Sequence, residues 1–142
     1  MNHDTYSAEY IKDVLASART IAVVGASPNA ARASYGVMNL LLAKGHKVIP
    51  INPGQAGGEI LGQTVYASLA DVPAPVDMVD IFRKTADAIG VVREAIAQKD
   101  RLGLKSVWMQ LDIRDDAVAA EAEAAGLKVV MNRCPAIEYR RL

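Results

Sequence analysis

Along the chain, short apolar runs alternate with stretches in which apolar residues recur every three or four positions. These two periods separate buried strands from amphipathic helices. Ile11, Val14, Leu15 and Ala18 share one helical face behind the polar "DTYS", which can supply an N-cap. "TIAVVG" is a β-branched run closed by Gly25, as expected of a strand covered on both faces. From Ser34, "SYGVMNLLLAKG" predicts a helix with Ser34 as cap, Val37, Leu40, Leu41 and Leu42 inward, and Gly45 as stop. "HKVIPIN" predicts a second strand. The glycine-rich "NPGQAGGEILG" sustains neither period and predicts a loop, followed by a short strand at "TVY" and a longer one within "DMVDIF", 77–82. Thr85 is placed to cap a helix running through Ile89, Val92 and Ile96, and a break near Gly103 leads to the strand "KSVWMQ". The alanine-rich "RDDAVAAEAEAAG" predicts a helix with acids at its positive end, and "LKVVMN" is the last strand, with Pro135 ending it.

Strands and helices alternating with short connections imply right-handed βαβ units. The expected fold is α/β: one doubly wound, mainly parallel, Rossmann-like sheet with helices on both faces. The 142 residues suit a single domain over 1–142, with 1–19 as an N-terminal helix packed on it. No internal repeat, low-complexity tract or linker interrupts the pattern.

Charge narrows the partners. Sixteen basic and sixteen acidic residues cancel, so no net field draws nucleic acid or an anionic membrane, and an anion has to be caught locally. One cysteine, Cys134, allows no internal disulfide and offers zinc no ligand set. The N-terminus has neither a basic n-region nor an apolar h-region, and nowhere do eighteen apolar residues run together. A cytoplasmic location is the expectation.

In a doubly wound sheet the ligand lies beyond the carboxyl ends of the strands, near the point where strand order reverses. Those ends are Gly25, Ala26 and Ser27, then Asn52 and Pro53, then Phe82 and Arg83, Gln110, and Asn132 with Arg133. Each apolar run thus delivers a polar or backbone-shaping residue to one edge. The first turn resembles a dinucleotide fingerprint, but Ser27 and Ala30 stand in the second and third glycine places after Gly25, and Asn52 stands where an acid would hold ribose hydroxyls. What remains is a longer turn carrying a hydroxyl, the amide of Asn29 and the guanidinium of Arg32 ahead of a helix N-terminus, an arrangement suited to phosphate.

Candidate catalytic groups are few. His3 is expected in a frayed terminus, and His46 opens the second strand at the edge opposite the ligand. Cys134, beside Arg133 on the ligand edge, is the one candidate nucleophile, although a small buried packing residue is the simpler reading. Asp77 and Asp80 face opposite sides of their strand and do not form a carboxylate pair. Trp108 reads as core.

With these residues in hand, the chain resembles the CoA-binding protein family, whose fold is that of the N-terminal domain of the succinyl-CoA synthetase alpha subunit. The resemblance rests on "AVVGASPNAARASYGVMNLLLAKGHKVIPINPG", "EILGQTVYASLADVPAPVDMVDIFR", "VWMQL" and "AGLKVVMNRCPAIEY". It implies a small CoA- or acyl-CoA-binding protein without chemistry of its own, with coenzyme A as ligand and a protein partner to supply any catalytic residues. An enzyme or enzyme subunit acting on acyl-CoA, or a nicotinamide-dependent oxidoreductase, is the alternative. By carry-over, Ser27, Pro28, Asn29 and Ala30 match the turn around the phosphates, and Asn52 and Pro53 the N-P turn. Ile81, Phe82 and Arg83 match the stretch flanking the nucleotide. Gly25, Ala26, Arg32 and Ser34 complete the candidate site. Two departures stand out: Gln55 replaces a lysine of the synthetase domain, and Asp112 occupies the glycine place of the family's W-x-Q-x-G.

Overall fold

The computed structural model describes residues 1–142. The helix α1 (Ala8–Ser17) is followed by β1 (Thr20–Val24), α2 (Ala33–Ala43), β2 (Lys47–Ile51), a small hairpin of β3 (Glu59–Ile60) and β4 (Gln63–Thr64), and β5 (Met78–Ile81). Then come α3 (Thr85–Leu102), β6 (Ser106–Met109), α4 (Asp116–Ala124), β7 (Lys128–Val130) and α5 (Pro135–Arg141). Five parallel strands form one sheet in the order β2-β1-β5-β6-β7. Strand order reverses between β1 and β5, because the chain first steps outward from β1 to β2 and then returns across it to β5. The α/β, doubly wound, Rossmann-like expectation holds.

Every central strand is buried on both faces, which is why its residues are apolar without alternation. One face packs against α3 and α4 through Val92, Ala95, Val118 and Ala122, and against the 69–76 segment of the β2-to-β5 crossover. The other packs against α1, α2 and α5 through Val14, Leu15, Met38, Leu41 and Ile137. Within α2, Val37, Met38 and Leu41 are buried while Leu40 and Leu42 are half-buried, so the inward face is rotated toward Met38 from the one expected.

Several local readings change. The helix α2 begins two residues early, with Arg32 at the N-cap and no side-chain cap bond, so Ser34 is a helical residue rather than the cap. Likewise Lys84, not Thr85, is the N-cap of α3. Pro135 does not end regular structure but opens α5, where a missing N–H costs nothing in the first turn. The stretch expected as loop holds a 3₁₀ turn over Pro53–Gln55 and β3 of the hairpin, while β4 overlaps the short strand expected at "TVY" only at Thr64, and Tyr66 forms a single bridge to Ile51. That hairpin turns through Leu61 and Gly62, both at positive φ, and a leucine there carries none of the usual turn signal.

Both sheet edges are covered. Along β2, Tyr66 N–H donates to Pro50 O and Asn52 N–H to Tyr66 O. Along β7, Tyr10 Oη accepts from Val129 N and donates to Val129 O, and Tyr6 Oη accepts from Met131 N. The two tyrosine rings stack, with centroids 5.7 Å apart. His3, expected to be frayed, is instead buried and bridges Tyr6 Oη at 2.6 Å and Glu123 Oε1 at 2.9 Å. A terminus that caps an open sheet edge is held by that edge. No helix is long and apolar enough to cross a membrane.

Candidate functional site

The carboxyl ends of β1 and β5 flank the reversal of strand order, the place where open α/β sheets bind ligands. Two clefts of about 420 Å³ each open there and share Gly25 and Arg83. The first is lined by Gly25, Ala26, Ser27, Arg32, Ala33, Ser34, Asn52, Phe82 and Arg83. Eight of these nine belong to the site expected from the sequence, Ala33 being the addition.

The backbone here is set by a close approach. Gly25 has φ +88°, and a Cβ on it would lie 2.7 Å from Phe82 O, so β1 and β5 can end side by side only with glycine at this position. Asn52 ties the next strand end to the same turn: its Nδ2 donates to Ala26 O at 2.8 Å while its Oδ1 accepts from Gly54 N at 2.9 Å. An aspartate could make only the second bond. The amide at the β2 end is therefore spent on the scaffold, and no free carboxylate stands where ribose hydroxyls would be held.

The turn is braced internally. Asn29 N donates to Ser27 Oγ, Ala31 N to Asn29 Oδ1, and Arg32 N to Asn29 O. Pro28, Asn29 and Ala30 are exposed and lie outside both cleft linings. With no side-chain cap on α2, the N–H groups of Ala33 and Ser34 have no acceptor in the protein. Ser34 is only 4% exposed and its hydroxyl lines the cleft without a hydrogen bond. Arg32 is exposed with no carboxylate in ion-pair range, and Arg83 pairs loosely with Asp87 at 3.6 Å. Free amide N–H groups, a helix dipole and two guanidinium groups converge, which favours an oxyanion.

The second cleft lies on the α3 side. Val24, Ile51, Pro53, Ala67, Leu69 and Val91 make its apolar walls. Ser68, Asp87 and Glu94 also line it. Of these residues only Pro53 was singled out from the sequence. The spacing Ala86, Gly90, Glu94 on α3 was the available signal, since small residues at i and i+4 leave a helix face open. Ile81 is fully buried in the α3-side core, behind Val24 and Leu69, and is in neither cleft lining.

The other strand ends are geometrically explained. Asp112 takes φ +68° and its N–H donates to Asn132 Oδ1 at 2.7 Å. An aspartate thus adopts the left-handed conformation that a glycine would provide, as short polar side chains can. Asn132 is itself at φ +56°. Trp108 is fully buried and donates from Nε1 to Arg133 O at 2.8 Å. Cys134 is 8% exposed in the apolar cluster under α5, and the Arg133 guanidinium beside it faces Glu138 and the Tyr6 ring. His46 sits at the opposite end of the sheet, bonded to Ala18 O and Tyr139 Oη. No cluster of three metal-ligating side chains occurs.

Comparison with known proteins agrees with this architecture. A hypothetical protein from Pyrococcus horikoshii OT3 is 36% identical, with a TM-score of 0.89 over 100% of this chain and 96% of that one. The uncharacterised protein YneT of Bacillus subtilis is 29% identical over 124 residues, 87% of each chain. The dinucleotide-forming acetyl-coenzyme A synthetase 1 of Candidatus Korarchaeum cryptofilum is 27% identical with a TM-score of 0.64, over 78% of this chain but 25% of that much longer one. Residues 19–140 match the CoA binding domain family from end to end of the sheet, and the chain belongs to that family.

Proposed function

We propose that this protein is a CoA- or acyl-CoA-binding module that holds the nucleotide across the β1–β5 reversal, with the phosphates in the first cleft and the adenine in the second. The observation that carries this reading is the uncapped α2 N-terminus facing Arg32 and Arg83 in a chain of the CoA-binding family. Ser27 to Ser34 then serve as the phosphate-binding loop. The base takes the second cleft because its apolar walls match a flat heterocycle and its rim carries acceptors for an exocyclic amine. Phe82 is left to border the pantetheine side. A nicotinamide dinucleotide is disfavoured, since Asn52 is held to the backbone at both ends of its amide and no carboxylate stands there to accept from both ribose hydroxyls. In this reading any catalytic residues come from a partner chain.

Gly90 offers a clean test. Nothing lies within 4 Å of a Cβ built there, and replacing glycine in a helix interior removes an intrinsic cost of about 1 kcal/mol. Gly90→Leu should therefore fold at least as stably, fill the second cleft and weaken CoA more than tenfold in isothermal titration. Arg32→Ala and Arg83→Ala should weaken CoA with a reduced salt dependence. Binding of NADP in place of CoA, or CoA affinity indifferent to all three changes, would refute the assignment.

A further inference from the structure

Three side-chain oxygens in this protein are buried without a hydrogen-bond partner, and they belong to two residues: Oδ1 and Oδ2 of Asp80, and Oε1 of Gln110. Asp80 is fully buried and Gln110 is 6% exposed. These two residues are neighbours. Asp80 pairs in register with Trp108 across β5 and β6, and residues two apart on a strand share a face. Gln110 therefore continues Asp80's face of the sheet, one diagonal step toward the ligand edge, about 8 Å between Cα atoms for parallel strands about 4.8 Å apart with a rise of about 3.3 Å per residue, a gap that side chains of this length can close. The in-register flanks of Asp80 are Val23 and Trp108, both in the apolar cluster under α1, α2 and α5.

No cation answers the carboxyl group. The titratable groups in or bordering that cluster are the Cys134 thiol, the phenols of Tyr6, Tyr10, Tyr35 and Tyr139, and, against those rings, His3, His46, Lys44, Lys128 and Arg133, none of which bonds to Asp80. Glu138, on α5, is already engaged by Arg133 and Arg141. A carboxylate and an amide oxygen are both acceptors and cannot satisfy one another; a proton between them can. A buried carboxylate left ionised and unpaired would be far more costly than the neutral acid.

We propose that Asp80 is a carboxylic acid whose O–H donates to Gln110 Oε1, and that this buried pair holds the Gln110 amide at the end of β6 with Nε2 presented to the ligand. Burial pushes the Asp80 carboxyl well above the usual carboxylate range, and the nearby Ile81 N–H, outside hydrogen-bonding geometry, offsets only part of this. Nε2, unlike Oε1, is not among the sealed atoms and has no acceptor in the protein. Gln110 N–H donates to Ile81 O, which sets the residue next to Phe82, behind the lining of the first cleft rather than in it. Resting on the CoA reading above, the free N–H meets a carbonyl oxygen of the uncharged pantetheine arm. Asp80 is thus a positioning residue, acting through Gln110.

Infrared spectroscopy at neutral pH tests the pair without any ligand. The wild type should show the carbonyl band of a protonated carboxylic acid, and Asp80→Asn should lack it; a wild type without that band overturns the proposal. Titrations with CoA and with adenosine 3′,5′-bisphosphate, which lacks the pantetheine arm, test the consequence. Asp80→Leu and Gln110→Leu should weaken CoA about tenfold, the value of one hydrogen bond to a buried partner, while leaving the bisphosphate unchanged. Asp80→Asn, which keeps a donor for Oε1, should bind CoA as the wild type does. Wild-type affinity for CoA in Asp80→Leu overturns the positioning role. If the wild type binds no CoA at all, the CoA reading fails while the infrared band still decides the pair; if Asp80→Leu does not fold, the band and Gln110→Leu decide instead.

Discussion

Gly25 and Asn52 show how single residues carry this site. Any Cβ at residue 25 meets the Phe82 carbonyl at 2.7 Å and is strained at φ +88°. Gly25→Ala should cost about 1–3 kcal/mol in urea unfolding, and it should do so without ligand, because the clash is between two strand ends. Asn52→Asp keeps the acceptor for Gly54 N–H, removes the donor to Ala26 O and places a carboxylate against that carbonyl and beside the proposed phosphates. CoA affinity should drop at least tenfold, with stability lower by about 1–3 kcal/mol, the cost of an unsatisfied buried acceptor. Gly25 was legible in the sequence as the end of an apolar run. The role of Asn52 was only half legible: its position at a strand end was visible, whereas the bond across to Ala26 depends on two loops 26 residues apart meeting in space.

At the scale of elements, the order of strands and helices could be read from hydrophobic period, and the failures fall where period is uninformative. α5 was missed because a proline that opens a helix and one that ends a strand look alike without the fold. β3 was missed, and β4 was met only at Thr64 of the expected "TVY", because each strand is two residues long. The fate of the β7 edge was also hidden. Tyr6 and Tyr10 are spaced i, i+4 near α1, and their hydroxyls stand in for a missing strand by satisfying Val129 and Met131. Burial raises both phenols, Tyr10 to about 12, so they remain neutral donors and acceptors across the physiological range. Replacing both with phenylalanine should lower stability by about 2–6 kcal/mol, summing four hydrogen bonds at about 0.5–1.5 kcal/mol each. Amide exchange should accelerate first at Val129 and Met131, and an exposed edge should make the variant more prone to associate. Equal acceleration across all strands would indicate global destabilisation instead.

Across the whole molecule, Asp80 couples folding to pH. Its carboxyl is raised in the folded state, so in the window above the ordinary value of about 3.9 the folded chain holds a proton that the unfolded chain has released. The Asp80 contribution is therefore complete below that value and is lost as pH rises through the folded-state value. Stability should decline across this window by up to about 1.4 kcal/mol per pH unit relative to Asp80→Asn. Urea midpoints of both proteins at a series of pH values measure the difference; parallel profiles would show that Asp80 is ionised in the fold. The partner in this arrangement, Gln110, was visible only as a polar residue at a strand end. Its alignment with Asp80 follows from the parallel register of β5 and β6, which no local pattern encodes.

The sequence by itself determined the kind and order of the elements and the edge on which the polar strand ends gather. Both follow from local causes: the period of burial along each segment, and the conformational freedom of glycine where an apolar run must stop. Only the tertiary structure decided that β1 lies between β2 and β5, and with it the reversal that opens two clefts around Gly25 and Arg83. It also decided that Asn52 braces the first turn, that Tyr6 and Tyr10 close the β7 edge, and that Asp80 and Gln110 share one face. Each of these depends on pairing between distant segments, where geometry rather than composition selects which polar group meets which.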